Sequence, residues 1–220
     1  MNSTWLERVK NNILPVSEEQ IDVLKALKEW VYEGDMYDVE IAEETCELCD
    51  HPHIRYQFEI VNIINSNTLQ IGSECINRFE IGVLDNKGVL LSSEKAKKKV
   101  NKDKNKLVTE AKVKSVINSL VSLSKVDNEF EIESFIKYLK DNGAFTPKQL
   151  STLIWRLEKY KINHIKSHFK LTIKKNKDKD QLLELADYKV KQMWDCLSSS
   201  QKNFYSEKQK LKKMINNLPL

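Results

Sequence analysis

Residues 44–62 read ETCELCDHPHIRYQFEIVN, and two patterns inside this stretch decide how the chain folds. Cys46-Glu47-Leu48-Cys49 puts two thiols at the ends of one tight turn, a spacing at which both can face a single ion. Ile54, Tyr56, Phe58 and Ile60 then alternate with Arg55, Gln57 and Glu59, the period of a half-buried strand. After the polar turn Asn65-Ser66-Asn67, Thr68-Leu69-Gln70-Ile71 resumes the alternation, which predicts an antiparallel hairpin over 54–61 and 68–72. Such a hairpin leaves near Cys46 and returns near Cys75, so it carries a third thiol back to the first two.

Three converging thiols and no βαβ context for a redox pair predict one structural Zn²⁺, ahead of ordinary buried thiols and of a dithiol switch. Tetrahedral zinc wants a fourth ligand. His53, where the chain has left the turn and can fold back, is the first choice; His51 is the alternative, and Asp50 stays open. Four protein ligands would close the site, leaving the metal to stabilise the fold.

Upstream, residues 3–12 read as a short helix. Ser17-Glu18-Glu19-Gln20 has the form of a capping box opening a second helix, with Ile21, Leu24, Leu27 and Val31 on one face and Gly34 ending it. Downstream of Ser93 the period becomes helical: one long helix to about Leu123, another over 129–142 stopped by Gly143, and a third started by Thr146-Pro147-Lys148-Gln149. Further helices are expected at 163–173, 179–197 and 199–215. With only five glycines and four prolines in 220 residues, helix should dominate. The expected class is α+β, a small zinc-stabilised β-hairpin module with N-terminal helices followed by an all-α helical bundle.

Charge supports a division after Ser92. Residues 1–92 hold 7 Lys/Arg against 17 Asp/Glu, net −10, whereas residues 93–220 hold 29 against 15, net +14. An acidic zinc module over 1–92 and a basic helical domain over 93–220 follow. The opening MNSTWLERVKNN is no signal peptide, and nowhere do about 18 apolar residues run together, so neither secretion nor membrane insertion is expected. Four cysteines fit a reducing cytoplasm better than a disulfide scaffold.

Glu29-Trp30, Cys46-Glu-Leu-Cys49, Arg55-Tyr56 with Phe58 and Ile60, Asn62, and Gly72-Ser-Glu-Cys75-Ile-Asn-Arg-Phe79 together resemble a group of uncharacterised bacterial and bacteriophage proteins. Their shared feature is a CELC...RYxFxIxN...GSxCIxxF zinc-binding module, matched here over roughly residues 20–80. The resemblance implies a cytoplasmic binding module, in the host cytoplasm if phage-encoded. It implies zinc and no particular reaction.

Lys95, Lys98, Lys99, Lys102 and Lys106 recur every three or four residues, forming a cationic stripe on one helix that could follow DNA or RNA phosphates; a solvated lysine-rich face is the plain alternative. Glu43, Glu44, Glu47, Asp50, Glu59 and Glu74 surround the thiols, so nucleic acid should fall to the helices. An acidic module also suits a protein partner, as in a phage-type regulator or inhibitor of a host protein. His164 and His168 have metal-motif spacing without a third ligand. Trp155, Tyr160, Trp194 and Cys196 read as core. No nucleophile with its base, Walker loop or carboxylate pair is visible, and a zinc-dependent nuclease would need an open metal position. A non-enzymatic accessory protein is the expectation.

Overall fold

The computed structural model describes residues 3–216. Among them are nine α-helices and a four-stranded mixed sheet, an α+β arrangement in two compact units, Met1–Ala111 and Lys112–Leu220. The boundary falls later than the charge change at Ser92, because the start of the first lysine-rich helix packs with the acidic residues.

In the first unit, α1 (Ser3–Ile13) and the four-residue α2 (Val23–Ala26) precede β1 (Trp30–Asp38), β2 (Tyr56–Asn62) and β3 (Thr68–Ile71). A short α3 (Ser73–Arg78) leads to β4 (Gly82–Val83) and then to α4 (Ser93–Ser124), which continues past Ala111. The strand order is β3-β2-β1-β4, with β4 parallel to β1 and the other pairs antiparallel. The expected hairpin is β2–β3, with Phe58 opposite Ile71 and Ile60 opposite Leu69, all four buried.

The helix expected from Ser17 is not formed. Ser17 is buried, and its hydroxyl donates to the Ile13 carbonyl (2.8 Å) and accepts from Trp30 Nε1 (2.8 Å) instead of capping. Asp22 caps α2 in its place. Trp30, Val31 and Tyr32, apolar and pairing with Asn62, Val61 and Ile60, enter the sheet; this tertiary pairing overrides the local helical period. Gly34 lies inside β1 rather than ending a helix. The pairing register shifts between Tyr32 and Met36, and Gly34 has φ +134, with Lys99 Nζ 3.3 Å from where a Cβ would sit.

Glu29 ties this turn together. Its buried carboxylate accepts from the amides of Glu18 and Glu19 and from Asn62 Nδ2, each at 2.8 Å. Burial alone would push its carboxyl up, but these hydrogen bonds outweigh it and hold the group below its ordinary value.

In the second unit, the C-terminal part of α4 packs with α5 (Ile132–Asn142), α6 (Pro147–Lys159), α7 (Asn176–Glu184), α8 (Asp187–Gln192) and α9 (Ser199–Asn216). Gly143 ends α5 at φ +67, donating to the Leu139 carbonyl. Thr146 and Gln149 form the expected capping box, and Pro147 opens α6. Residues 163–173 are not helical: the Phe145 and Thr172 amides bond the Lys170 and Phe145 carbonyls, both at 2.8 Å, leaving only a 3-10 turn at Lys166–His168. Residues 179–197 break into α7, α8 and a 3-10 turn. Trp155 is 45% exposed rather than core, with Lys159 Nζ 5.1 Å above its ring; Tyr160 and Trp194 pack partly buried against the core, and Cys196 is buried.

Replacing Glu29 with Gln is expected to lower the unfolding free energy by about 2–4 kcal/mol at neutral pH, since a buried charged acceptor loses its charge-assisted bonds. The folded carboxyl sits below its ordinary 4.5, so its stabilisation is present above that pH and drains as pH falls through the folded value. Urea unfolding at several pH values should therefore show the gap between the two proteins narrowing in acid. A gap constant from about pH 7 to about pH 3 would contradict this account.

Candidate metal centre and basic surfaces

The CxxC turn is shaped by its own backbone. Cys46 N–H bonds the His51 carbonyl and Asp50 N–H the Cys46 carbonyl, both at 2.9 Å, while Asp50 takes a left-handed φ of +55 to let the chain double back. The turn is fastened to the hairpin through Gln70. Glu47 N–H donates to the Gln70 carbonyl at 3.0 Å, and the Glu47 carboxylate accepts from Gln70 N–H. From the other side, Asn12 of α1 donates to Asp50 Oδ1 at 2.8 Å. Leu48, fully buried between the two cysteines, plugs the turn into the core.

Cys75 enters from the first turn of α3, immediately after β3. Its Sγ lies 3.6 Å from Cys46 Sγ and 3.3 Å from Cys49 Sγ, and all three sulfurs fall within 4.8 Å of one another. All three are buried free thiols. The Gly72 amide points at Cys46 Sγ from 3.5 Å.

Electrostatics separates the three. The hydrogen bond from Cys75, helped by backbone amides including that of Gly72, pulls the Cys46 thiol down to about 5. Donating that bond, together with burial, pushes Cys75 up, and burial raises Cys49. Three sulfurs this close cannot all ionise without a cation between them, and a cation among three thiolates is what the donor set fits. The cluster can hold a metal ion.

The histidines are placed differently from expectation. His53 does not join the thiols: it has φ +61, and its Nδ1 is 3.2 Å from the Ala42 carbonyl. His51 is exposed but lines a cavity of about 370 Å³ whose wall includes all three cysteines. Among the described residues no histidine or carboxylate lies within 4.8 Å of all three sulfurs. His164 and His168 form no second metal cluster; their Nδ1 atoms meet the Ile162 carbonyl (2.7 Å) and Ser115 Oγ (2.9 Å).

The lysine stripe is interrupted. Lys95, Lys98, Lys102 and Lys106 are exposed, Lys98 pairing with Glu94 at 2.6 Å. Lys99 turns inward, 2.8 Å from Asp103 Oδ2 and 4.7 Å above the Tyr32 ring, while Tyr32 OH donates to the same carboxylate at 3.1 Å. It is a packing residue because Gly34 leaves room for its ammonium.

A second basic surface escaped the sequence reading. Residues 159–177 hold seven lysines and no Asp or Glu, and a cavity of about 770 Å³ in the second unit is lined by Lys170, Lys174 and Lys179 against the single carboxylate of Asp195, with Ser167, Ser198 and Ser200. Its wall includes Phe169, Leu171, Leu197 and Phe204. The acid-free lysine run was the available signal.

Cys75→Ser is expected to reduce bound metal from about one equivalent to below about 0.2 and to destabilise the first unit by at least about 3 kcal/mol. Elemental analysis of protein purified without added metal, alongside thermal melts, checks this. Full metal retention in the variant would remove Cys75 from the ligand set. Comparison with known proteins adds no assignment, since no family model, no curated protein and no solved structure matches this chain.

Proposed function

We propose that the chain is a zinc-stabilised, non-enzymatic accessory protein that binds nucleic acid through its second unit. Zinc is the metal that suits three thiolates with no demand for a d-electron geometry. With Zn–S bonds of about 2.3 Å, sulfurs on a tetrahedron sit ~3.8 Å apart, and the 3.3 and 3.6 Å separations need only a small relaxation to reach that. The zinc fixes the CxxC turn to the hairpin.

The observation that carries the nucleic-acid reading is the sign of charge in each compact unit. Met1–Ala111 contains 14 Lys/Arg against 20 Asp/Glu, net −6, and Lys112–Leu220 contains 22 against 12, net +10. Phosphate contact belongs where the positive charge is, and the Lys170, Lys174 and Lys179 cavity offers cations on the rim of an apolar wall against which unstacked bases can lie. Lys95, Lys98, Lys102 and Lys106 of α4 sit on the acidic unit and contribute less.

A second reading, a protein-interaction module such as a regulator of a host protein, is favoured by Ile63 and Ile64, both over 60% exposed after β2. Recovery of a stoichiometric, nuclease-resistant partner would support it.

Binding of fluorescent single- and double-stranded DNA and RNA by the full chain, at two salt concentrations, tests the first reading. The single strand is expected to bind more tightly, with affinity falling steeply as salt rises. Substituting Lys170, Lys174 and Lys179 with Ala should weaken binding about tenfold or more, whereas Lys95, Lys98, Lys102 and Lys106 to Ala should change it less than about threefold. No binding at low salt removes the reading.

A further inference from the structure

We propose that the metal held by Cys46, Cys49 and Cys75 keeps its fourth coordination position open to the adjoining cavity and takes a small-molecule thiol there as an exchangeable ligand. This rests on the metal reading above and goes beyond a purely structural ion.

The protein supplies three donors and then a space. No fourth cysteine, histidine or carboxylate among the described residues reaches all three sulfurs. His53 is turned to the Ala42 carbonyl, and Asp50 Oδ1 accepts from Asn12. His51 stands on the cavity rim with an exposed ring, its carbonyl committed to closing the CxxC turn. The cavity, about 370 Å³, has the three cysteines on its wall, so an ion among the sulfurs faces into it. A water takes about 30 Å³, which leaves room for a ligand of several heavy atoms.

The lining selects the ligand. Trp5 and Tyr56 give it an aromatic wall. Arg78 lies with its guanidinium 4.1 Å above the Trp5 ring and makes no ion pair with a carboxylate among the described residues. Arg55, by contrast, is neutralised by Asp38 (2.7 Å), and Lys104 by Glu74 (3.3 Å). A divalent ion with three thiolates carries a net charge of about −1, and Arg78 is the cation that offsets a fourth anionic donor. Softness decides between donors: thiolate-rich sites favour sulfur, and the charge that three thiolates donate makes the ion a poor activator of water. An incoming thiol loses its proton to solvent as its sulfur binds, and one water leaves.

Full-length protein loaded with Co²⁺ makes the position visible through sulfur-to-cobalt charge-transfer absorption. Titration with 2-mercaptoethanol is expected to raise that absorption saturably by about one third, as three thiolates become four, with cobalt retained through gel filtration. Acetate should give no such rise. His51→Ala should leave the resting spectrum unchanged, and Arg78→Gln should weaken the apparent thiol affinity about fivefold. Retained cobalt with no thiol response, or a resting spectrum altered by His51→Ala, would overturn the proposal and make the centre a closed one. An unchanged affinity in Arg78→Gln would overturn the charge pairing. Failure to take up cobalt at all would instead sink the metal reading on which the proposal stands.

Discussion

The first unit depends on one reciprocal link, in which the Glu47 amide and carboxylate of the CxxC turn both engage the Gln70 backbone in β3. A tight turn carrying two thiols has no fixed place relative to a third thiol unless something sets the register. The Glu47–Gln70 pair does so, and β3 then delivers Gly72 and Cys75 to the same point within a few residues. Buried Leu48 seats the turn in the core from within, and Asn12 clamps it from α1. The sulfurs are thus assembled by strand pairing and packing, with much of the ordering cost met by the fold.

At the opposite end of β2 a second constraint acts. Asn62 pairs across to Trp30 and gives its side-chain amide to Glu29, whose carboxylate also gathers the Glu18 and Glu19 amides. Trp30 Nε1 meanwhile reaches Ser17. Three separated pieces of chain are held by one carboxylate and one indole, and both polar groups are fully committed. That is why burying them is tolerable.

How legible this was depends on the range of the deciding contacts. The hairpin, the three cysteines, the Gly143 stop and the Thr146 box are written in local period and spacing, and each stands where the sequence put it. Ser17-Glu18-Glu19-Gln20 has the same local form as Thr146-Pro147-Lys148-Gln149, yet only the latter caps a helix. Ser17 is claimed by Trp30, a contact thirteen residues away that no capping pattern contains. The same holds for 163–173, where the Phe145 backbone captures Lys170 and Thr172. Lys99 also fits its stripe by spacing and leaves it because Gly34 and Tyr32, far upstream, make room and an aromatic face.

Charge alone therefore does not locate a binding surface; pairing does. The α4 lysines look continuous on a helical wheel, but Lys98 and Lys99 answer Glu94 and Asp103 on the same helix, and Lys104 answers Glu74. These charges are partly spent within a unit that is acidic overall. A metal surrounded by three thiolates adds about one further negative charge to that unit, which opposes a phosphate chain at the range of a Debye length, about 8–10 Å at ordinary salt. In residues 159–177 the seven lysines have no carboxylate among them. Lys166 finds one in Glu158 at 2.6 Å. Lys170 and Lys174 instead line an apolar-walled cavity, together with Lys179 and one carboxylate, that of Asp195. In the proposed division of labour, the chemistry that fits the first unit for a soft metal is the same chemistry that makes it a poor host for a polyanion.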